Sequence, residues 1–175
     1  MSYYVVDVES DGPIIGVHSI VCFGAVKVDD KLDKTFYGQM KPISNKWVPE
    51  ALAISGFSRE EHLKFPEPVN TIDGFYKWVM QTNTQGNPIL VSDNNGYDAP
   101  WINNYFWLYA PQGRNPFGWS SRRIGDLYCG MVKDVKQGWK HLRKTKHTHH
   151  PVDDAKGNAE ALLALRNMGL KIDLR

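Results

Sequence analysis

The chain has 175 residues, of which 42% are hydrophobic and 23% charged, and its formal net charge is +2. That is the length and composition of one soluble domain, read here as a single unit over 1–175 that buries a core without staples. No run approaches the ~18 apolar residues of a membrane span, and Met1-Ser2-Tyr3-Tyr4 carries no basic stretch before Asp7, which predicts no secretory leader, no membrane and a cytoplasmic protein.

The first half predicts a meander of strands. Tyr3 to Val8 is β-branched and aromatic and runs into acidic residues, and His18 to Val28 is apolar almost throughout, as a central strand should be. Lys34 to Met40 makes a third strand after the turn at Asp29-Asp30-Lys31. Pro42 to Gly56 reads as irregular chain. Ser58-Arg59-Glu60-Glu61 is a capping-box pattern that starts a helix. Helical spacing follows in Ile72, Phe75, Tyr76 and Val79.

Pro88 to Ser92 predicts a short buried strand, and Asp98 to Tyr109 a helix striped by Ile102, Tyr105, Phe106 and Tyr109. Pro111 to Ser121, rich in Pro, Gly, Asn and Ser, is a loop. Arg123 to Val132 holds a short strand or helix. Pro151 to Met168 is a helix with Pro at its first position, Asp153 and Asp154 in its first turn, and Gly169 past its end. Three strands, helices, a strand and more helices predict a mixed α/β domain. Cys22 and Cys129 form no CxxC and read as reduced thiols.

Charge is uneven. Arg122, Arg123, Lys133, Lys136, Lys140, Arg143, Lys144 and Lys146 are opposed within their stretch only by Asp126 and Asp134. A basic flank on a mildly acidic body suits a polyanionic partner, and equally a solvated helix and loop.

Three short segments carry candidate chemistry. Asp7 and Glu9 stand two apart at a strand end, so their side chains share a face. Paired carboxylates are costly without a cation between them, although a strand running out into an acidic turn would look the same. Asp98 opens a helix after a buried strand, the place where α/β sites collect, and also the place of an N-cap. Asp154 lies about one turn inside the last helix, with His149 in the loop before it. Acidic residues there also suit the helix dipole.

Taken in order, Asp7-x-Glu9-x-x-Gly12, Asp98 at a strand-to-helix junction, and His149-x-x-x-x-Asp154 resemble the DEDDh 3′→5′ exonucleases, the group of RNase T, oligoribonuclease and the proofreading exonuclease of bacterial replicase. The likeness runs from Tyr4 to Leu165. The segment from Trp47 to Glu61 also looks like the family's text between its third strand and next helix, with Ser55 where His is common. Ser92-Asp93 and Tyr97 depart from the usual second motif, and Pro151 stands where a small residue is common.

The resemblance implies an RNase H-like fold, a mixed five-stranded sheet flanked by helices. It implies two divalent cations, Mg²⁺ or Mn²⁺, held by Asp7, Glu9, Asp98 and Asp154, with Asp7 shared and His149 as general base. It implies 3′→5′ hydrolysis of single-stranded nucleic acid with a free 3′ end to nucleoside 5′-monophosphates. RNA ranks first, DNA repair or proofreading second, and a catalytically dead binding module third. Ile14, Ile15 and Phe57 fall where family members touch the terminal nucleotide. Trp101 follows Asp98 by one turn and joins them as a candidate. Arg122, Arg123, Arg143 and Lys144 are the candidate phosphate contacts. RNase T and oligoribonuclease are dimers, which leaves a homodimer open.

Overall fold

The computed structural model describes residues 1–84 and 86–174. Five strands form one mixed sheet in the order β3-β2-β1-β4-β5. They are β1 (Tyr3–Ser10), β2 (Ile20–Lys27), β3 (Thr35–Gln39), β4 (Ile89–Ser92) and β5 (Ser121–Arg123). The first three are antiparallel neighbours, whereas β4 runs parallel to β1 and β5 parallel to β4. The antiparallel meander needs only short turns. The parallel strands return through helices, as parallel connections must.

Helices cover both faces. On one lie α3 (Pro68–Thr82) and α4 (Asp98–Tyr109); on the other lie α5 (Ile124–Val132) and α6 (Pro151–Asn167). Alternation along β1 serves both. Tyr4, Val6 and Val8 join the core that holds Phe75, Ile102 and Phe106, and Val5 joins the core that holds Ala155, Ala159 and Leu162. With both faces covered, every residue of β2 is buried, which explains its continuous apolar text.

The predicted elements stand with small shifts at their ends. Two differences have physical causes. The stretch expected to be irregular contains α1 (Pro49–Ile54), whose only buried residue is Leu52, so it shows no apolar period. The segment expected to hold a strand or a helix holds both, because the three residues of β5 lead directly into α5. The capping box forms: Ser58 Oγ accepts from the Glu61 amide, and the Ser58 amide donates to the Glu61 carboxylate at the start of α2 (Arg59–His62). Among the described residues, no helix is long and apolar enough to cross a membrane.

Candidate active site

The centre of the sheet places the first two carboxylates. Asp7 and Glu9 alternate with buried Val6 and Val8 and so share the face that carries α6. On that face Asp7 pairs with Gly24 of β2. A Cβ at Gly24 would collide with the Pro151 carbonyl and the Val152 amide. The missing side chain therefore lets the first turn of α6 settle directly on the sheet. That contact brings Asp154, itself fully buried, to the same side as Asp7 and Glu9.

The loop in front of α6 wraps Asp154. Its Oδ1 accepts from Arg143 at 2.9 Å and from the Thr148 amide at 3.2 Å, and its Oδ2 accepts from the His149 amide at 3.0 Å. His147 Nδ1 also lies 2.9 Å from Oδ1. His149 has a left-handed backbone, φ 62°. Such a conformation is uncommon outside glycine, though histidine is among the residues enriched there. The hydrogen bonds from successive amides to one carboxylate hold it. Its side chain is 55% exposed, and its Nδ1 stands 4.0 Å from Glu9 Oε1.

Asp98 enters from the opposite face, at the start of α4. It does not cap that helix; Tyr97 holds the cap position and makes no side-chain cap bond. Instead Asp98 Oδ1 accepts from the Val8 amide of β1 at 3.2 Å. The Tyr97 hydroxyl bonds to Ser10, tying the entry of α4 to the end of β1. The result is a cleft of about 390 Å³ lined by Asp7, Val8, Glu9, Ile54, Asn94, Tyr97, Asp98, His147 and His149, with Asp154 behind the two histidines.

Electrostatics in this cleft are strained. Burial pushes the Asp7 carboxyl well above its ordinary range, and the charges of Asp98, Glu9 and Asp154 push it further, with Arg143 opposing. Burial, then the Asp154 charge, raises Glu9 to about 7. Burial raises Asp98 to about 7 despite hydrogen bonds from the Val8 amide and Ser92. Carboxyls clustered this way resist ionising together unless positive charge is supplied.

The structure thus gathers Asp7, Glu9, Asp98, Asp154 and His149. The expected substrate contacts fare differently. Trp101 is fully buried in the core between Tyr97 and Tyr105, because its position in the helical repeat faces the sheet; it cannot meet a nucleotide there. Arg143 is likewise no surface cation. Its side chain is 10% exposed and packed against Gly157, where it neutralises Asp154. Ile14 is exposed on the turn after β1, Ile15 packs against the core, and half-buried Phe57 stacks edge-on with Phe65; none of them lines the cleft. Arg122 and Lys144 line grooves elsewhere. Arg123 bonds to the Asp93 carbonyl and to Asp126 in a groove that shares Asn94 with the cleft. Sequence reasoning passed over Ile54, Asn94 and Tyr97 as walls of the site. The signal in the sequence that could have found His147 is its place beside His149 and His150 in a run of closely spaced histidines.

No family model matches the sequence. A curated protein of Escherichia coli, the 3′-5′ DNA exonuclease Cap18, is 34% identical over 128 residues, covering 72% of this chain and 67% of that protein. The chain belongs to the DEDDh 3′→5′ exonucleases. The solved structures agree on the exonuclease fold. The nuclease domain of 3′hExo, a DEDDh family member bound to rAMP, superposes with a TM-score of 0.78 at 16% identity, over 99% of this chain and 96% of that one. Cell-death related nuclease 4 gives 0.75 at 15% identity, over 96% and 64%. E. coli Exonuclease I in complex with a dA16 oligonucleotide gives 0.69 at 17%, over 95% of this chain but 41% of that one. The mixed five-stranded sheet flanked by helices is thus the fold this chain shares with those structures.

Proposed function

We propose that this exonuclease removes nucleoside 5′-monophosphates from the 3′ end of single-stranded DNA, using the four carboxylates and His149. The observation that carries this reading is the convergence of Asp7, Glu9, Asp98 and His149 on one cleft with buried Asp154 behind it, where the acids crowd one another and Arg143 opposes their charge at Asp7. A set of hard oxygen donors with excess negative charge fits magnesium-type cations. Asp7, Glu9, Asp98 and Asp154 would hold two divalent ions, Mg²⁺ or Mn²⁺, which when bound supply Lewis acidity toward water and relieve charge at the leaving 3′ oxygen.

The chain's own groups do the rest. His149 stands exposed beside Glu9 and takes the proton of the attacking water, a task that suits an imidazole near neutral pH. The Val8 amide fixes the direction of Asp98, and the Arg143 guanidinium fixes that of Asp154. Ile54 and Tyr97 offer apolar and aromatic walls to the terminal nucleotide. Arg123 and Lys140, in the groove that shares Asn94, stand where the strand's phosphates would continue.

DNA is placed ahead of RNA, which the sequence alone ranked first, because the 34%-identical relative is named a DNA exonuclease. RNA stays as the second reading, since the 3′hExo nuclease domain was solved with rAMP. Incubating the protein with 5′-labelled single-stranded DNA and RNA, with Mg²⁺, Mn²⁺ or EDTA, tests both. The expected result is a metal-dependent ladder shortening from the 3′ end, reduced at least about 10²-fold in Asp7→Asn and His149→Ala. Binding of either strand without cleavage under any metal would leave a nucleic-acid-binding module instead.

A further inference from the structure

A cluster of metal-ligating side chains other than the four-carboxylate set lies at the edge of this cleft. One ligand atom each from His147, His149 and Asp154 lies within 4.8 Å of the others. The two imidazole rings meet edge to face with centroids 4.3 Å apart. Both histidine side chains are more than half exposed and can turn, whereas Asp154 is buried and fixed. Ligands about 2 Å from a tetrahedral zinc ion stand about 3.3 Å apart, so a modest rotation of the two exposed rings closes the set.

The donors decide which ion. Two imidazoles and one carboxylate suit zinc and its neighbours, whereas magnesium prefers oxygen and keeps its waters. Three protein ligands leave a fourth position open. Arg143 and the Thr148 amide already hydrogen-bond to Asp154 Oδ1, the outer support that a ligating carboxylate usually has. His147 has no part in the proposed cleavage and is otherwise an exposed histidine in a basic loop.

We propose that His147, His149 and Asp154 form a zinc site that shares Asp154 with the magnesium-type carboxylate site, and that zinc bound there silences the nuclease. Silencing rests on the function proposed above, because the ion takes the lone pair with which His149 would accept a proton and claims Asp154 as well. The zinc site itself does not depend on that reading, since three of the four carboxylates stand outside it.

Zinc binding is measured first on Asp7→Asn, which impairs the carboxylate site and spares the three zinc ligands. The protein, checked for fold by circular dichroism, is titrated with Zn²⁺ against a chromophoric chelator in excess Mg²⁺. One zinc per chain is expected, and adding His147→Gln should weaken it at least about tenfold. Asp7→Asn protein that binds no zinc, or a double variant that binds it equally tightly, would overturn the site. In the wild type, Zn²⁺ added to the Mg²⁺-supported reaction should halve the rate near the measured dissociation constant. His147→Gln should need at least about tenfold more zinc to halve its own zinc-free rate. Equal sensitivity of the two proteins would overturn the silencing.

Discussion

Glu9 and Asp98 are each held near 7 by burial, well above the carboxylate range of an unfolded chain. Between about pH 4.5 and 7 the folded state therefore binds protons that the unfolded state has released. By linkage, stability falls as pH rises through that window. Metal-free protein should melt at a lower temperature at pH 7.5 than at pH 5.5. Glu9→Gln should shrink the difference, and Mg²⁺ should stabilise the wild type more at pH 7.5. Calorimetry across this range checks the sign; a metal-free protein more stable at pH 7.5 would refute it. The side chains nearest this chemistry divide by how far their signal travels along the chain. Asp7 and Glu9 were legible because strand alternation is local. Arg143 was not, because a cation in a basic stretch reads as surface until Gly157 and Asp154 are known to enclose it. Trp101 failed for a similar reason: one turn beyond Asp98 is known from the sequence, but which way that turn faces is set by the sheet.

Gly24 is where β2 meets α6. Any side chain there must displace the Pro151–Val152 backbone, and overpacking of this kind costs about 1–3 kcal/mol. Gly24→Ala should lower stability by that amount. It should also lower kcat beyond what unfolding explains, since α6 carries Asp154 and is preceded by His149. Urea melts beside single-turnover cleavage separate the two effects. Helices α3, α4 and α6 were readable from period, Pro and acidic first turns. The six-residue α1 was not, and the three-residue β5 stayed undecided between strand and helix, both being too short for any period to register. Their cost to the reading was unequal. Leaving β5 open between strand and helix changed nothing at the site, whereas missing α1 hid Ile54, which walls the cleft from the last position of that helix.

The molecule has two cores divided by one sheet, with Phe75 and Phe106 on one side and Leu162 and Ala159 on the other. Both draw on β1, so neither side can melt while the other keeps its sheet. Phe75→Ala should cost about 3–5 kcal/mol and Leu162→Ala about 2–5 kcal/mol. Each should move one common thermal transition rather than split it. Two transitions in the calorimetric trace would show independent halves. The α/β class was foreseeable because strands and helices alternate in a set order, whereas the five-stranded sheet was implied only by the family likeness. The pairing of Asp154 with the far end of the chain could be expected only through that likeness.

Asp7 and Asp154 are separated by most of the 175 residues, yet α6 must lie on β2 before the two share a site. A ribosome that has released β1 but not α6 therefore holds a carboxylate set without one of its acids. The order of translation itself delays assembly of the cluster until synthesis has passed Pro151–Asn167.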